Sequence, residues 1–174
     1  DDTFMIRSAL SEGVIPILTL TPLGPDGNFN NLLVSAVVND EEAKSNLLSN
    51  LLTTLTEKDF QGVNIDFEYI LPEDRIPFAD FVAETRAYLS PYGYQVSVAL
   101  APKTSDSQAG LLYEGKDYGL LGKAADSVLL MTYEWGYIYG PPMAVAPLNK
   151  VREVVEYAIT RISPEKIDLG IPNY

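Results

Sequence analysis

Five runs that read as β-strands alternate with stretches of helical spacing, and this alternation fixes most of what the chain can fold into. Val14 to Leu20 (VIPILTL) is continuously apolar and ends at Thr21-Pro22. Gly62 to Tyr69, Gln95 to Ala101, Ser127 to Tyr133 and Ile167 to Ile171 follow at intervals of roughly 30–45 residues, the spacing of βα units. Asp40-Glu41-Glu42 opens a helix, because acids in a first turn suit the positive end of the helix dipole. Leu47, Leu48, Leu51, Leu52 and Leu55 give that helix one apolar face. Pro72 and Glu73 lead into a second helix, with Phe78, Phe81, Val82 and Leu89 as its buried stripe and Ser90-Pro91-Tyr92-Gly93 as its end. Tyr118 to Ala124 is a short helix, and Leu148 to Ile162 is a longer one with Val151, Val154, Val155, Ala158 and Ile162 inward. Leu23 to Asn31 reads as a turn-rich loop around Gly24-Pro25-Asp26-Gly27, and Lys103 to about Lys116 as a long polar loop.

The order β-α-β-α-β-α-β-α-β predicts an α/β fold with parallel strands. Such a chain is either an open doubly wound sheet or an arc of a (β/α)8 TIM barrel. Two features favour the barrel. No Gly-rich phosphate loop follows any strand. Asp66, Glu68, Tyr69, Tyr133 and Glu134 sit at C-terminal strand ends, where barrels carry their chemistry. A full barrel takes about 250 residues. Residues 1–174 are therefore expected to be one domain, a partial barrel of about five β/α units.

Within the second strand, Gly62-Val63-Asn64-Ile65-Asp66-Phe67-Glu68 alternates with a period of two. Asn64, Asp66 and Glu68 share one face; Val63, Ile65 and Phe67 share the other, with Phe67 turned to the helix layer. A solvated edge strand would explain the spacing alone. In a strand covered on both sides, two acids and an amide facing inward are costly unless they form a site.

Composition narrows the chemistry. Twelve basic against twenty-four acidic residues give a net charge of −12. That argues against nucleic acid and anionic membrane surfaces as partners, and leaves a neutral sugar polymer free of conflict. There is no cysteine and no histidine, which excludes disulfides, thiolate chemistry, a Ser-His-Asp triad and a His-ligated zinc site within these residues. Acid–base work falls to Asp, Glu, Tyr or Lys. No apolar run approaches ~18 residues, so no membrane span is expected.

Gln61-Gly62-Val63-Asn64-Ile65-Asp66-Phe67-Glu68 resembles the D-G-x-D-x-D-x-E signature of glycoside hydrolase family 18, the chitinase-like enzymes, on their fourth barrel strand. Met131-Thr132-Tyr133-Glu134 is similar to the family's M-x-Y-D on strand six, Ala99-Leu100-Ala101-Pro102 fits strand five, and Gly170-Ile171-Pro172-Asn173-Tyr174 looks like strand seven. On that register Val14 to Leu20 is strand three, and strands one, two and eight lie outside these residues. The loop Glu134-Trp135-Gly136-Tyr137-Ile138-Tyr139-Gly140-Pro141-Pro142 looks most like the branch of bacterial spore and cell-wall N-acetylglucosaminidases. Gln61 and Asn64 depart from the family by replacing its first two aspartates, and Glu134 replaces the Asp after Tyr133. Asn64 can hydrogen-bond but cannot share a proton.

The resemblance implies a retaining, substrate-assisted glycosidase acting on N-acetylglucosamine linkages of peptidoglycan in a spore or cell wall. A chitinase and a silent carbohydrate-binding barrel are the rivals. Glu68 would be the general acid and then the base, held protonated by burial and by the charge of Asp66. Asp66 would hold the acetamido N–H, Tyr133 would donate to the acetamido oxygen, and Asn64 would orient Asp66. Met131, Glu134, Trp135, Tyr137 and Tyr69 are the candidates for substrate contact. Trp135, Tyr137 and Tyr139 can either stack on sugar faces or pack their loop down. No cofactor or metal is expected. With three strands missing, two barrel edges would be open and the isolated chain is expected to aggregate or remain poorly folded.

Overall fold

A computed structural model describes residues 2–136 and 139–172. Its sheet has five strands: β1 (Ile17–Leu20), β2 (Gly62–Ile65), β3 (Gln95–Leu100), β4 (Ser127–Leu130) and β5 (Ile167–Leu169). All four pairings are parallel and the strand order is the chain order. A doubly wound sheet reverses its strand order at a switch point. This sheet does not, so it is an arc of a barrel.

Each crossover is helical: α2 (Asn31–Val38) and α3 (Glu41–Lys58) join β1 to β2, α4 (Arg75–Leu89) joins β2 to β3, α5 (Tyr118–Ala124) joins β3 to β4, and α6 (Leu148–Ala158) joins β4 to β5. α1 (Thr3–Ser11) precedes β1. The expected helices over 118–124 and after Asp40 are present. The Asp40 carboxylate accepts from the Ala43 N–H at 2.7 Å, and Lys58 stands in the last turn of α3. α1 and α2 were not legible in the sequence. α2 begins where the turn-rich stretch ends, with Asn30 Oδ1 accepting from the Leu33 N–H at 3.0 Å. Its residues NLLVSAVV are nearly all apolar, which masks helical periodicity.

The strands are shorter than the runs that suggested them. β2 ends at Ile65, not Tyr69, and β4 ends at Leu130, not Tyr133. The last helix likewise stops at Ala158 instead of Ile162. Single ladder bonds continue past the strand ends: Asp66 N–H donates to Leu20 O at 2.9 Å, Met131 N–H to Leu100 O at 3.0 Å, and Gly170 N–H to Leu130 O at 3.0 Å.

The core lies between sheet and helices. Val63, Ile65, Val96, Val98, Leu100, Val128 and Leu130 are buried against Phe78, Phe81, Val82 and Leu89 of α4. The opposite face, the inside of the barrel arc, carries a polar row in register: Thr19 beside Asn64, Asn64 beside Ser97, Ser97 beside Ser127. Among the described residues β1 and β5 have no outer neighbour in the sheet. Near β1, Leu20, Leu33, Val34, Val37, Leu47 and Phe67 line an apolar groove of about 160 Å³.

Candidate active site

The chemistry-bearing residues sit just past the strand ends. Phe67 anchors this stretch after β2. Its ring stacks between Phe78 and Phe81 of α4, with centroids 5.8 and 5.6 Å away. Burying such a ring stabilises by about 1.5–3 kcal/mol. With Phe67 turned into the core, the alternation sends the half-buried side chains of Asp66 and Glu68 to the other face. The backbone then turns sharply. Tyr69 has φ 54° and Glu134 has φ 60°, left-handed values that non-glycine residues seldom adopt. The two turns follow Glu68 and Tyr133 respectively. Backbone strain of this kind, about 1–3 kcal/mol per residue, clusters at functional sites.

Asp66, Glu68, Tyr69, Met131, Tyr133, Glu134 and Trp135 line a single cleft of about 600 Å³. Ala101, Pro102, Leu112, Tyr113 and Phe29 complete its wall. One described residue expected at the site is not part of that lining. Asn64 lies lower on the inner face, its amide oxygen accepting from Ser97 Oγ at 2.9 Å. Tyr137 falls outside the described residues. Tyr139, in the same loop, is 82% exposed and is not among the lining residues. Trp135 is half-buried against the core, with its backbone N–H on Val145 O at 3.3 Å. Its indole Nε1 is buried without a partner among the described residues.

The electrostatics separate the two carboxyls. Burial raises the Asp66 carboxyl above its ordinary range, and the Lys116 ammonium opposes that rise. Burial also raises Glu68, the charge of Asp66 raises it further, Lys116 pulls it back, and Glu134 adds to the rise. The negative charge of Asp66 thus favours the protonated form of Glu68. The two titrate as a pair, not as independent groups. Burial, then the charges of Asp66, Glu134 and Glu68, raises the Tyr133 phenol, so it stays a hydrogen-bond donor. Asp66 Oδ1 is buried with no hydrogen-bond partner among the described residues. Leaving a charged acceptor unpaired is expensive unless something donates to it. Such a cleft offers an acid, an adjacent carboxylate with a spare lone pair, and a phenolic donor.

Sequence reasoning missed Phe29, Leu112, Tyr113 and Lys116. Phe29 lies in the turn-rich loop and its ring meets Tyr69 edge-on at 6.0 Å. The others come from the loop that reads as polar, whose two end lysines, Lys103 and Lys116, are in fact buried. No local pattern marks any of the four; only the packing of one loop on another brings them here.

Comparison with known proteins identifies the family. The profile of glycosyl hydrolases family 18 matches residues 26–174. A cortical fragment-lytic enzyme of Bacillus subtilis is 43% identical over 142 residues, 82% of this chain and 33% of that protein. The crystal structure of the Bacillus cereus spore cortex-lytic enzyme SleL superposes with a TM-score of 0.92 at 35% identity, covering 98% of this chain and 39% of that one. A chitinase from Chromobacterium violaceum gives a TM-score of 0.92 at 26% identity, covering 100% of this chain and 54% of that one. The chain thus spans well under half the length of these cortex-lytic relatives. The profile runs through β2, β3, β4 and β5 and through the cleft residues at their ends, and the chain belongs to glycosyl hydrolases family 18.

Proposed function

We propose that this chain carries the acid–base centre of a retaining glycosidase that cleaves N-acetylglucosamine linkages in spore-cortex or cell-wall peptidoglycan. The observation that carries the reading is the convergence of Asp66, Glu68 and Tyr133 on one cleft, with Asp66 Oδ1 buried and unpaired. A 2-acetamido sugar supplies what those groups lack. Its N–H is a donor for Asp66, and its carbonyl oxygen is an acceptor for the Tyr133 hydroxyl. That carbonyl oxygen then attacks the anomeric carbon as the glycosidic bond breaks, and Glu68 gives its proton to the leaving oxygen. Asp66 stabilises the positive charge of the cyclised intermediate. Glu68, now ionised, takes a proton from water as the water opens that intermediate. Two inversions leave the anomeric configuration unchanged. Asn64, tied to Ser97, fixes the strand segment from which Asp66 projects.

The cortex-lytic names of two relatives favour peptidoglycan over chitin. They also favour a spore or cell-envelope location. The cleft walls are partly aromatic, with Phe29, Tyr69, Tyr113 and Trp135, which suits the C–H faces of pyranoses. The presence of Glu68 speaks against a silent binding barrel. The test compares the intact wild-type protein with Glu68→Gln on cortex peptidoglycan fragments and on chitin oligomers, following new reducing ends and the anomer first formed. Expected are turnover of peptidoglycan with retained configuration and a loss of at least about 10³-fold in the variant. Turnover of chitin alone would support the chitinase reading. Silence of the wild type on both polymers would refute the enzyme.

A further inference from the structure

Lys116 is a buried cation that the scheme above does not use. It is only 1% exposed, and its ammonium donates to Ala99 O of β3 at 3.1 Å. Its segment is locked in position. At Gly115 an added Cβ would lie 2.3 Å from Ile70 O and 2.5 Å from Ile70 Cβ, so glycine alone allows the loop to press against the chain two residues past Glu68. Lys103, itself buried, donates from Nζ to Lys116 O at 3.0 Å and to Tyr113 O at 3.3 Å. On the other side, Asp117 caps α5 through the Leu120 N–H at 2.9 Å and pairs with Arg75. An ammonium has three N–H donors. One is on Ala99 O, and Ala99 follows Val98, the register partner of Ile65, so this carbonyl stands level with Asp66, whose buried Oδ1 has no hydrogen-bond partner among the described residues.

We infer that Lys116 is a positioning residue of the carboxylate pair: a fixed interior ammonium that holds the negative charge on Asp66. This rests on the reading of Asp66 and Glu68 as the working pair. The charges bearing on Lys116 are Asp66 and Glu68, from the end of β2. Tyr133 and Glu134, from the end of β4, act on that same pair. Asn64 stands on the inner face below Asp66, is neutral, and has its oxygen committed to Ser97. A buried, unpaired carboxylate beside a second one would otherwise compete with it for the proton. Lys116 favours the anion over the acid at Asp66. Burial brings the Lys116 ammonium itself down to about 8, with Asp66 and then Glu68 holding it up against the desolvation.

The test measures pH profiles of kcat/KM for the intact protein on a fluorogenic N-acetylglucosaminide oligomer. Lys116→Gln keeps a donor for Ala99 O but removes the charge; Lys116→Met removes both. In both variants the acid and alkaline limbs should move to higher pH by about one unit, with kcat affected more than KM. Lys116→Arg should restore the limbs. A purely structural lysine predicts a lower Tm with limbs unmoved, and that result would overturn the inference. The second measurement does not need turnover. The 13Cε resonance of Lys116 is titrated in the wild type and in Asp66→Asn. Loss of the anion should lower the Lys116 titration midpoint, and an unchanged midpoint would overturn the inference whether or not the glycosidase reading stands. A wild type inactive on every N-acetylglucosaminide would instead count against that reading alone.

Discussion

Gly170→Ala should disable the site from outside the reacting groups. Gly170 follows β5, and its N–H donates to Leu130 O at 3.0 Å, so its backbone is fixed. A Cβ there would lie 2.3 Å from Tyr133 Cε1, 3.1 Å from Cδ1 and 3.2 Å from Leu130 O. Ordinary carbon–carbon contact is about 3.5–4.0 Å, so the Tyr133 ring has to withdraw by about 1.2 Å or more. Misplacing a substrate-orienting group by 1 Å lowers rates by about 10²-fold, or about 2.7 kcal/mol of transition-state stabilisation. The overpacking itself should cost about 1–3 kcal/mol of stability. The assay is kcat/KM on the fluorogenic oligomer, with a thermal melt alongside and Tyr133→Phe as the reference. If Gly170 acts by seating that ring, Gly170→Ala should add little once the hydroxyl is gone, a non-additivity expected of coupled neighbours. Activity within about threefold of wild type in a folded Gly170→Ala protein would refute the reasoning, as would full additivity.

The same geometry yields three further expectations. Asp66 and Glu68 are both raised on folding, so protonation stabilises the fold at low pH and their ionisation weighs against it as pH rises through the folded values. Glu68→Gln should therefore raise Tm at pH 7 by a few degrees, and the gain should vanish at pH values below the ordinary carboxylate range; equal gains at both would contradict the sign. Glu134 raises the Glu68 carboxyl, so Glu134→Gln should move the alkaline limb of kcat/KM toward lower pH, read from the same pH profiles. Finally, β1 and β5 present unpaired edges, and Phe4, Met5, Leu32 and Ile171 are each at least 70% exposed. The 174 residues alone should self-associate, and a sharp cooperative melt of a monomer in analytical ultracentrifugation would contradict this.

Much of this protein could be read before folding, and the reason is periodicity. Strand-length apolar runs and helical leucine and phenylalanine stripes are local patterns, and they gave the parallel α/β order, the core face of α4 and the partition of Phe67 from Asp66 and Glu68. The recurrence of motifs at strand ends likewise named most of the cleft lining. Local patterns failed where local signals were weak. α2 is too uniformly apolar to show a period, and the strands stop early because β2 and β4 leave the ladder to present side chains at their ends. Nothing in the sequence pairs Lys116 with Asp66, Gly170 with Tyr133, or Ser97 with Asn64. Those meetings join residues 30 or more positions apart in the chain. Only the closing of successive βα units brings them together, because burial, fixed charge and steric exclusion are set by neighbours in space. The sequence alone determined which residues can do acid–base work. The tertiary structure decided which of them face one cleft, which buried charge acts on them, and which glycine leaves room for the tyrosine ring.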